Sequence, residues 1–224
     1  MPVRKRRRLV LWIWGGVLLL AAGLFGLYQS TQYVPEFYRQ AMAIDPAGQQ
    51  QDSDQMLQQT TALVSGFKKQ RHWEAVFTAQ EINGWLAVDM VRNHPDALPA
   101  PLSNPRVVIE ADRLTLACRF HWGFFSSVLR LTVDAYLAEP NVLALRIRKA
   151  RAGLLPMPLG SVLDRISEAA GHADLQLKWR RLDGDLVALI SLPASPEQDD
   201  NVVRIEALQL GKGEIYLAGT TEGR

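Results

Sequence analysis

The chain has 224 residues, with 25 Lys and Arg against 23 Asp and Glu, a formal charge of +2 and one cysteine. Five of the cations, Arg4, Lys5, Arg6, Arg7 and Arg8, crowd the N-terminus, so residues 29–224 hold all 23 acidic side chains but only 20 basic ones, a formal charge of −3. That balance excludes a general nucleic-acid-binding surface, and the lone Cys118 excludes a disulfide framework.

Residues 9–28 read LVLWIWGGVLLLAAGLFGLY, without a charge. As a helix they would be about 30 Å long, the thickness of a bilayer's hydrocarbon core. The basic segment 1–8 is expected to stay in the cytoplasm, which places the rest of the chain on the extracytoplasmic side of a single-pass anchor. Trp12, Trp14 and Tyr28 suit the two interfaces. The alternative is a cleaved secretory signal. Its small-x-small site, Ala21-Ala22-Gly23, is followed by the apolar Leu24, Phe25, Leu27 and Tyr28, which favours a retained anchor. No cysteine follows closely enough for lipid attachment.

Residues 29–71 read as a juxtamembrane linker with helices. Pro35 suits a first helical position, Asp45-Pro46-Ala47-Gly48 is a breaker, and Gln49, Gln50 and Gln51 are a polar spacer. Ser53 is the expected N-cap of a helix to about Gln70, whose Met56, Leu57, Thr60, Leu63, Val64 and Phe67 form a stripe facing the domain.

The extracytoplasmic domain is expected over 72–224. Trp73 to Phe77 is a strand, and Thr78-Ala79-Gln80-Glu81 is a capping box with Phe77 and Ile82 placed for a hydrophobic staple. The following helix is expected to reach Arg92 and to bury Ile82, Trp85 and Leu86. Asn93 to Pro105, with four prolines, is a loop.

From Arg106 the apolar period becomes two. Leu114, Leu116, Cys118 and Phe120, then Leu129 to Leu137, then Leu143, Leu145 and Ile147 alternate with more polar residues, each set predicting a strand with one core face. Short turns at Asp112-Arg113 and Glu139-Pro140-Asn141 make the neighbours antiparallel. Cys118, inside such a run, reads as a buried structural thiol. Gly153 to Leu159 is an apolar crossover into a helix with a Leu159, Val162, Leu163, Ile166, Ala170 stripe, closed by Gly171. Leu175, Leu177 and Trp179 start another strand, Asp183-Gly184 is a hairpin turn, and Val187 to Leu192, apolar on both faces, is central. A loop over 193–201 precedes a last hairpin, 202–210 with 214–219. The sum is an α+β fold: a transmembrane helix, then a curved antiparallel sheet of about eight strands packed with two or three helices.

Catalysis leaves no local trace. There is no G-x-S-x-G elbow. His72, His94, His121 and His172 have no metal-ligand spacing. The pairs Asp183/Asp185 and Asp199/Asp200 stand in turns, where aspartate serves the backbone. No catalytic residue, metal or cofactor is expected, and the protein is not expected to be an enzyme.

Two surface features remain. His121-Trp122-Gly123-Phe124-Phe125 puts aromatic rings at a strand turn, where they are either core or a lip that touches lipid or borders an apolar pocket. Arg146, Arg148, Lys149 and Arg151, with Arg119 and Arg130 on strands beside them, form either a solvated outer sheet face, the reading preferred here, or a surface facing anionic head groups.

The basic N-terminus and apolar helix, the strand leading into FTAQEINGWL (Phe77–Leu86), and the GLLPMPLGSVL crossover (Gly153–Leu163) together resemble the membrane-anchored YpmS-like bacterial family. More loosely, they are similar to envelope proteins with tubular lipid-binding folds. The resemblance implies a bacterial envelope protein with lipid binding and transfers no catalytic residue. The expected function is therefore an anchored domain that binds a lipid or other apolar ligand between helix and sheet, with contacts from Trp122, Phe124, Phe125, Leu154, Leu155, Met157 and Trp85. The alternative is a non-catalytic module that binds a protein partner in an envelope assembly.

Overall fold

The computed structural model describes residues 3–69, 71–98, 100–123, 125–172, 176–193 and 201–223. Phe124, Leu175, Asp199 and Asp200 lie outside the described residues, and for Arg4 to Arg8, Trp122, Leu159, Val162 and His172 the backbone alone is described. The elements are α1 (Val3–Thr31), α2 (Glu36–Met42), α3 (Pro46–Lys69), β1 (His72–Thr78), α4 (Ala79–Ala87), α5 (Asp89–Asn93), a 3-10 turn (Pro95–Ala97), β2 (Leu102–Glu110), β3 (Arg113–Trp122), β4 (Phe125–Glu139), β5 (Val142–Ala152), β6 (Leu155–Pro156), α6 (Leu159–His172), β7 (Gln176–Leu182), β8 (Asp185–Ser191), β9 (Asn201–Leu210) and β10 (Glu214–Gly223).

The α+β class holds, with antiparallel pairing throughout the described strands, but the strands form two sheets rather than one. The larger has seven strands in the order β2-β3-β4-β5-β8-β7, with β6 beside β5; the smaller is β1-β10-β9. Periodicity identifies strands without naming their partners, and β1 pairs with the far end of the chain, His72 opposite Thr220. β8 is central as expected, with Val187 and Ala188 sealed. The hairpin before it turns on Asp183 and Gly184, both at positive φ (52° and 86°), the backbone of a type I′ turn.

Residues 9–28 lie inside α1, and the apolar side chains from Val17 to Tyr28 are exposed. Among the described residues no single helix is long and apolar enough to cross a membrane. Gly16–Thr31 passes only together with α2, from which it is bent by 49°.

Four helical expectations are corrected. α3 begins at Pro46, because Asp45 accepts from the Gly48 N–H (2.6 Å) and Pro46 fits the first turn, so the glutamines are helical. Its stripe is only half used. Phe67 meets Trp73 edge-on at 4.8 Å, whereas Leu57 and Val64 are exposed. The helix after the capping box breaks at Val88 into α4 and α5. Gly171 lies within α6 rather than closing it. The capping box itself forms as read, with the Glu81 N–H donating to Thr78 Oγ1 and the Thr78 N–H donating to Glu81.

The buried face of α4 is also different from the apolar stripe. Asn83, Gly84 and Glu81 are buried, while Ile82, Trp85 and Leu86 are half-buried. Two polar demands override hydrophobicity. Asn83 donates to the Val107 carbonyl (2.8 Å) and accepts from the Val107 N–H (2.7 Å), so its amide continues the ladder on the free edge of β2. Gly84 lets α3 come close; a Cβ there would stand 2.5 Å from Asp52 Cβ and 2.6 Å from Ser53 N. Asn83→Ala would orphan both backbone groups of Val107, and a loss of about 3 kcal/mol is expected, measurable as a lowered urea midpoint with an unchanged slope.

Candidate functional site

Helix α1 ends against the sheet, and its last four carbonyls, the groups a helix cannot satisfy itself, are all paired. The Thr31 hydroxyl donates to Tyr28 O (2.7 Å) and the Gln32 N–H to Gln29 O (3.1 Å). The other two partners come from the sheet: the Leu154 N–H donates to Ser30 O (2.9 Å) and the buried Ser127 hydroxyl to Thr31 O (2.7 Å). Between them Gly153, at φ +58°, donates to Val128 O (2.9 Å). A Cβ on Gly153 would meet the Ser30 carbonyl oxygen and lie 2.6 Å from that of Thr31.

The chain then crosses onto the outer face of the large sheet. Tyr38 of α2 is 1% exposed, packs on Ala117 and Val128 with Val34 and Phe37 beside it, and donates to Asn104 O (2.8 Å). Burial pushes its phenol up, against the pull of Arg119 and Arg106. Arg106 is also buried here, its guanidinium donating to Pro105 O (2.7 Å), and burial lowers its pKa.

Register sorts the remaining side chains, since cross-strand partners point the same way. Leu114, Leu116, Cys118 and Phe120 share the inner face with Leu129, Leu131 and Val133. At the upper end, toward Glu139 and Asn141, this face is closed by the small sheet. β9 packs on β4, and the Asn141 amide donates to Val203 O (2.8 Å) and accepts from the Ile205 N–H (2.6 Å). Val133 and Ile147 are buried there. Helix α6 packs on β7, with the Trp179 indole N–H donating to Ser167 Oγ (2.8 Å). The lower half of β3 and β4 is only half covered. Leu116 is 38% exposed, and Cys118, Phe120, Phe125, Leu129 and Leu131 are intermediate. The alternation therefore identified the apolar face, but on β3 it is Ala117 on the opposite face that is fully buried, at 0% exposure. Burial pushes the Cys118 thiol up to about 11.

On the outer face the cations divide. Arg148 Nε lies 2.6 Å from Asp134, and its Nη1 2.8 Å from Asp185; Arg146 reaches Asp183 (3.8 Å) and Asp185 (3.9 Å). Arg130, Thr132, Lys149 and Arg151 instead line a pocket of about 180 Å³. A bulge between Thr132 and Val133 leaves Arg148 unpaired in the ladder, which breaks the alternation so that Arg148 and Lys149 both serve the outer face.

The structure gathers Phe125, Leu154, Leu155 and Met157 at the lower end of the sheet, around the junction with α1. Phe125 is two residues from Ser127, Leu155 pairs with Ala152, and Met157 donates to Ala150 O (2.9 Å). Leu154 is 46% exposed. The Phe125 ring meets Phe120 edge-on at 6.2 Å. Trp85 stands apart, beside His94 (6.1 Å). Sequence reasoning missed Ser127, Gly153 and Tyr38. Gly153 carried a usable signal, since a glycine between a strand and an apolar pair marks a turn or a close approach. Ser127 carried none. Among the described residues no group of three or more His, Cys, Asp or Glu is placed to hold a metal ion.

Gly153→Ala combines a strained φ with a clash, so a loss of about 2 kcal/mol or more is expected, read as faster proteolysis within residues 29–35. The raised Cys118 pKa means that the folded state keeps its thiol proton longer than the unfolded state. Stability is therefore expected to fall as pH rises from about 9 to about 11, and iodoacetamide is expected to spare Cys118 in the native protein at pH 8 while labelling it in urea. No family model matches this chain, and no similarity to a curated protein or a solved structure reaches significance.

Proposed function

We propose that this chain is a single-pass membrane protein whose residues 9–28 cross the bilayer, with the N-terminus cytoplasmic and the domain extracytoplasmic, where it binds a lipid acyl chain or other apolar ligand between α6 and the inner face of the large sheet. One observation carries the reading. The half-covered floor of Leu116, Phe120, Phe125, Leu129 and Leu131 lies at the end of the sheet where the exposed apolar helix α1 departs. An apolar surface left half open is a binding surface when its ligand is at hand, and a membrane beside α1 would supply acyl chains there. In this reading α1 alone is the span, since Tyr38 ties α2 into the domain core. The resemblance to YpmS-like and tubular lipid-binding envelope proteins agrees with it.

A second reading, a protein-interaction module, is favoured by α3. Leu57 and Val64 stand seven residues apart on one helical face and are both exposed.

Full-length protein in cells fed a photoactivatable fatty acid separates the two. Adducts on β3, β4 or α6 peptides as well as α1 are expected, and Leu131→Glu should abolish those on the strands while leaving those on α1. Adducts confined to α1 would overturn the lipid-binding reading; a photoreactive amino acid placed at position 57 or 64 that crosslinks to one discrete protein would favour the second.

A further inference from the structure

The cations of the outer face differ in what neutralises them. Arg146 and Arg148 are met by Asp134, Asp183 and Asp185. Among the described residues no carboxylate lies within ion-pair distance of Arg130, Lys149 or Arg151. Arg130 is nonetheless directly opposite Arg151 on the neighbouring strand, and Thr132 opposite Lys149. Like charges facing each other across a ladder are unfavourable, so this array stores repulsion that an anion between the side chains would relieve.

Two members of the array, Arg130 and Thr132, are held in place before any ligand arrives. Arg130 Nη2 donates to Gly153 O (2.7 Å), its guanidinium lies over the Tyr33 ring at 5.6 Å, and its Nε is buried without a hydrogen-bond partner among the described residues. The Thr132 hydroxyl is shared with Thr115 (3.0 Å). The pocket of about 180 Å³ has room for a phosphate group and bound water, at about 30 Å³ per water. Two guanidiniums, an ammonium and a hydroxyl are the donor set that phosphate oxygens recognise.

Position suggests where the phosphate comes from. Arg130 and Thr132 are two and four residues beyond Val128, whose carbonyl takes the Gly153 N–H at the foot of α1, or about 7–13 Å along a strand. A head-group layer is about 5–8 Å thick on each side of the hydrocarbon core, so Arg130 and the opposite Arg151 stand level with it, and Thr132 and the opposite Lys149 lie about 5 Å beyond its outer limit.

We propose that Arg130, Lys149 and Arg151, with Thr132, form a binding site for a phosphate group, supplied by an anionic lipid head group next to α1. The lipid source rests on residues 9–28 crossing the bilayer; the phosphate chemistry does not. The site faces away from the apolar floor and is independent of a ligand there.

Lys149 reports on its own occupancy through its rate of acetylation, read by mass spectrometry on the full-length chain. Lys212, exposed at the β9–β10 turn, is the internal control. In nanodiscs, adding phosphatidylglycerol to phosphatidylcholine is expected to slow Lys149 about fivefold or more, to leave Lys212 unchanged, and to lose its effect in Arg151→Gln but not in Arg180→Gln. A parallel arm adds inorganic phosphate to the protein in neutral detergent. Protection in both arms supports the site with phosphate itself as the recognised group, and protection in nanodiscs alone supports the head group as its source. Protection by phosphate in a chain that fails to enter nanodiscs keeps the site and removes the membrane reading. Unchanged Lys149 rates in both arms, or slowing that survives Arg151→Gln, overturn the proposal.

Discussion

The arrangement of this protein depends on how the end of α1 is terminated. A helix leaves four carbonyls without partners, and burying them unpaired would be prohibitive. Here the last two are answered by the Leu154 N–H and the Ser127 hydroxyl, donors that exist only because β4 and the turn after β5 are already folded. The close approach this needs is available at Gly153, whose missing side chain leaves room for the Ser30 and Thr31 carbonyls. Everything near the candidate site follows from that contact. It directs the chain onto the outer face, where Tyr38 becomes core, and it brings Tyr33 over Arg130. It also sets the aromatic hairpin and the apolar crossover at the same end of the sheet as α1.

Two asparagines do comparable work at the other margins. Asn83 closes the open edge of β2 by supplying one donor and one acceptor to Val107. Asn141 does the same for β9, joining the small sheet to the β4–β5 turn. In both places a side-chain amide takes the part of a missing strand. Unpaired edges invite association with other chains, and an amide on a helix or turn blocks them without adding apolar surface.

Local chemistry was legible where the signal is short-ranged. The Thr78–Glu81 capping box, the Asp183-Gly184 turn, the crossover into α6 and the central β8 all follow from neighbouring residues. What failed depends on partners distant in sequence. Nothing local shows that β1 pairs with β10, so two sheets read as one. Nothing local shows that α4 is placed by Asn83 and Gly84 instead of by its apolar stripe. Alternation correctly separates leucines from arginines on β3 to β5, but it cannot say which face another element covers. Small Ala117 is therefore sealed under α2 while Leu116 remains part-exposed. The aspartates beside Arg146 and Arg148 likewise come from β4 and from the β7–β8 hairpin, so the divided charge of the outer face is invisible in a linear reading.

The bonded foot of α1 has a mechanical consequence. A domain on a flexible linker reorients independently of its helix, whereas here the terminal carbonyls of the helix are held by the same strands that carry the rest of the sheet. Helix and sheet therefore act as a lever. β4 continues for 12 residues beyond Ser127, to Glu139, about 40 Å at the strand rise. On that length, a tilt of about 10° in α1 would carry the far end of the sheet sideways by roughly 7 Å. Orientation of the helix and position of the distal surface are thus coupled through these two hydrogen bonds.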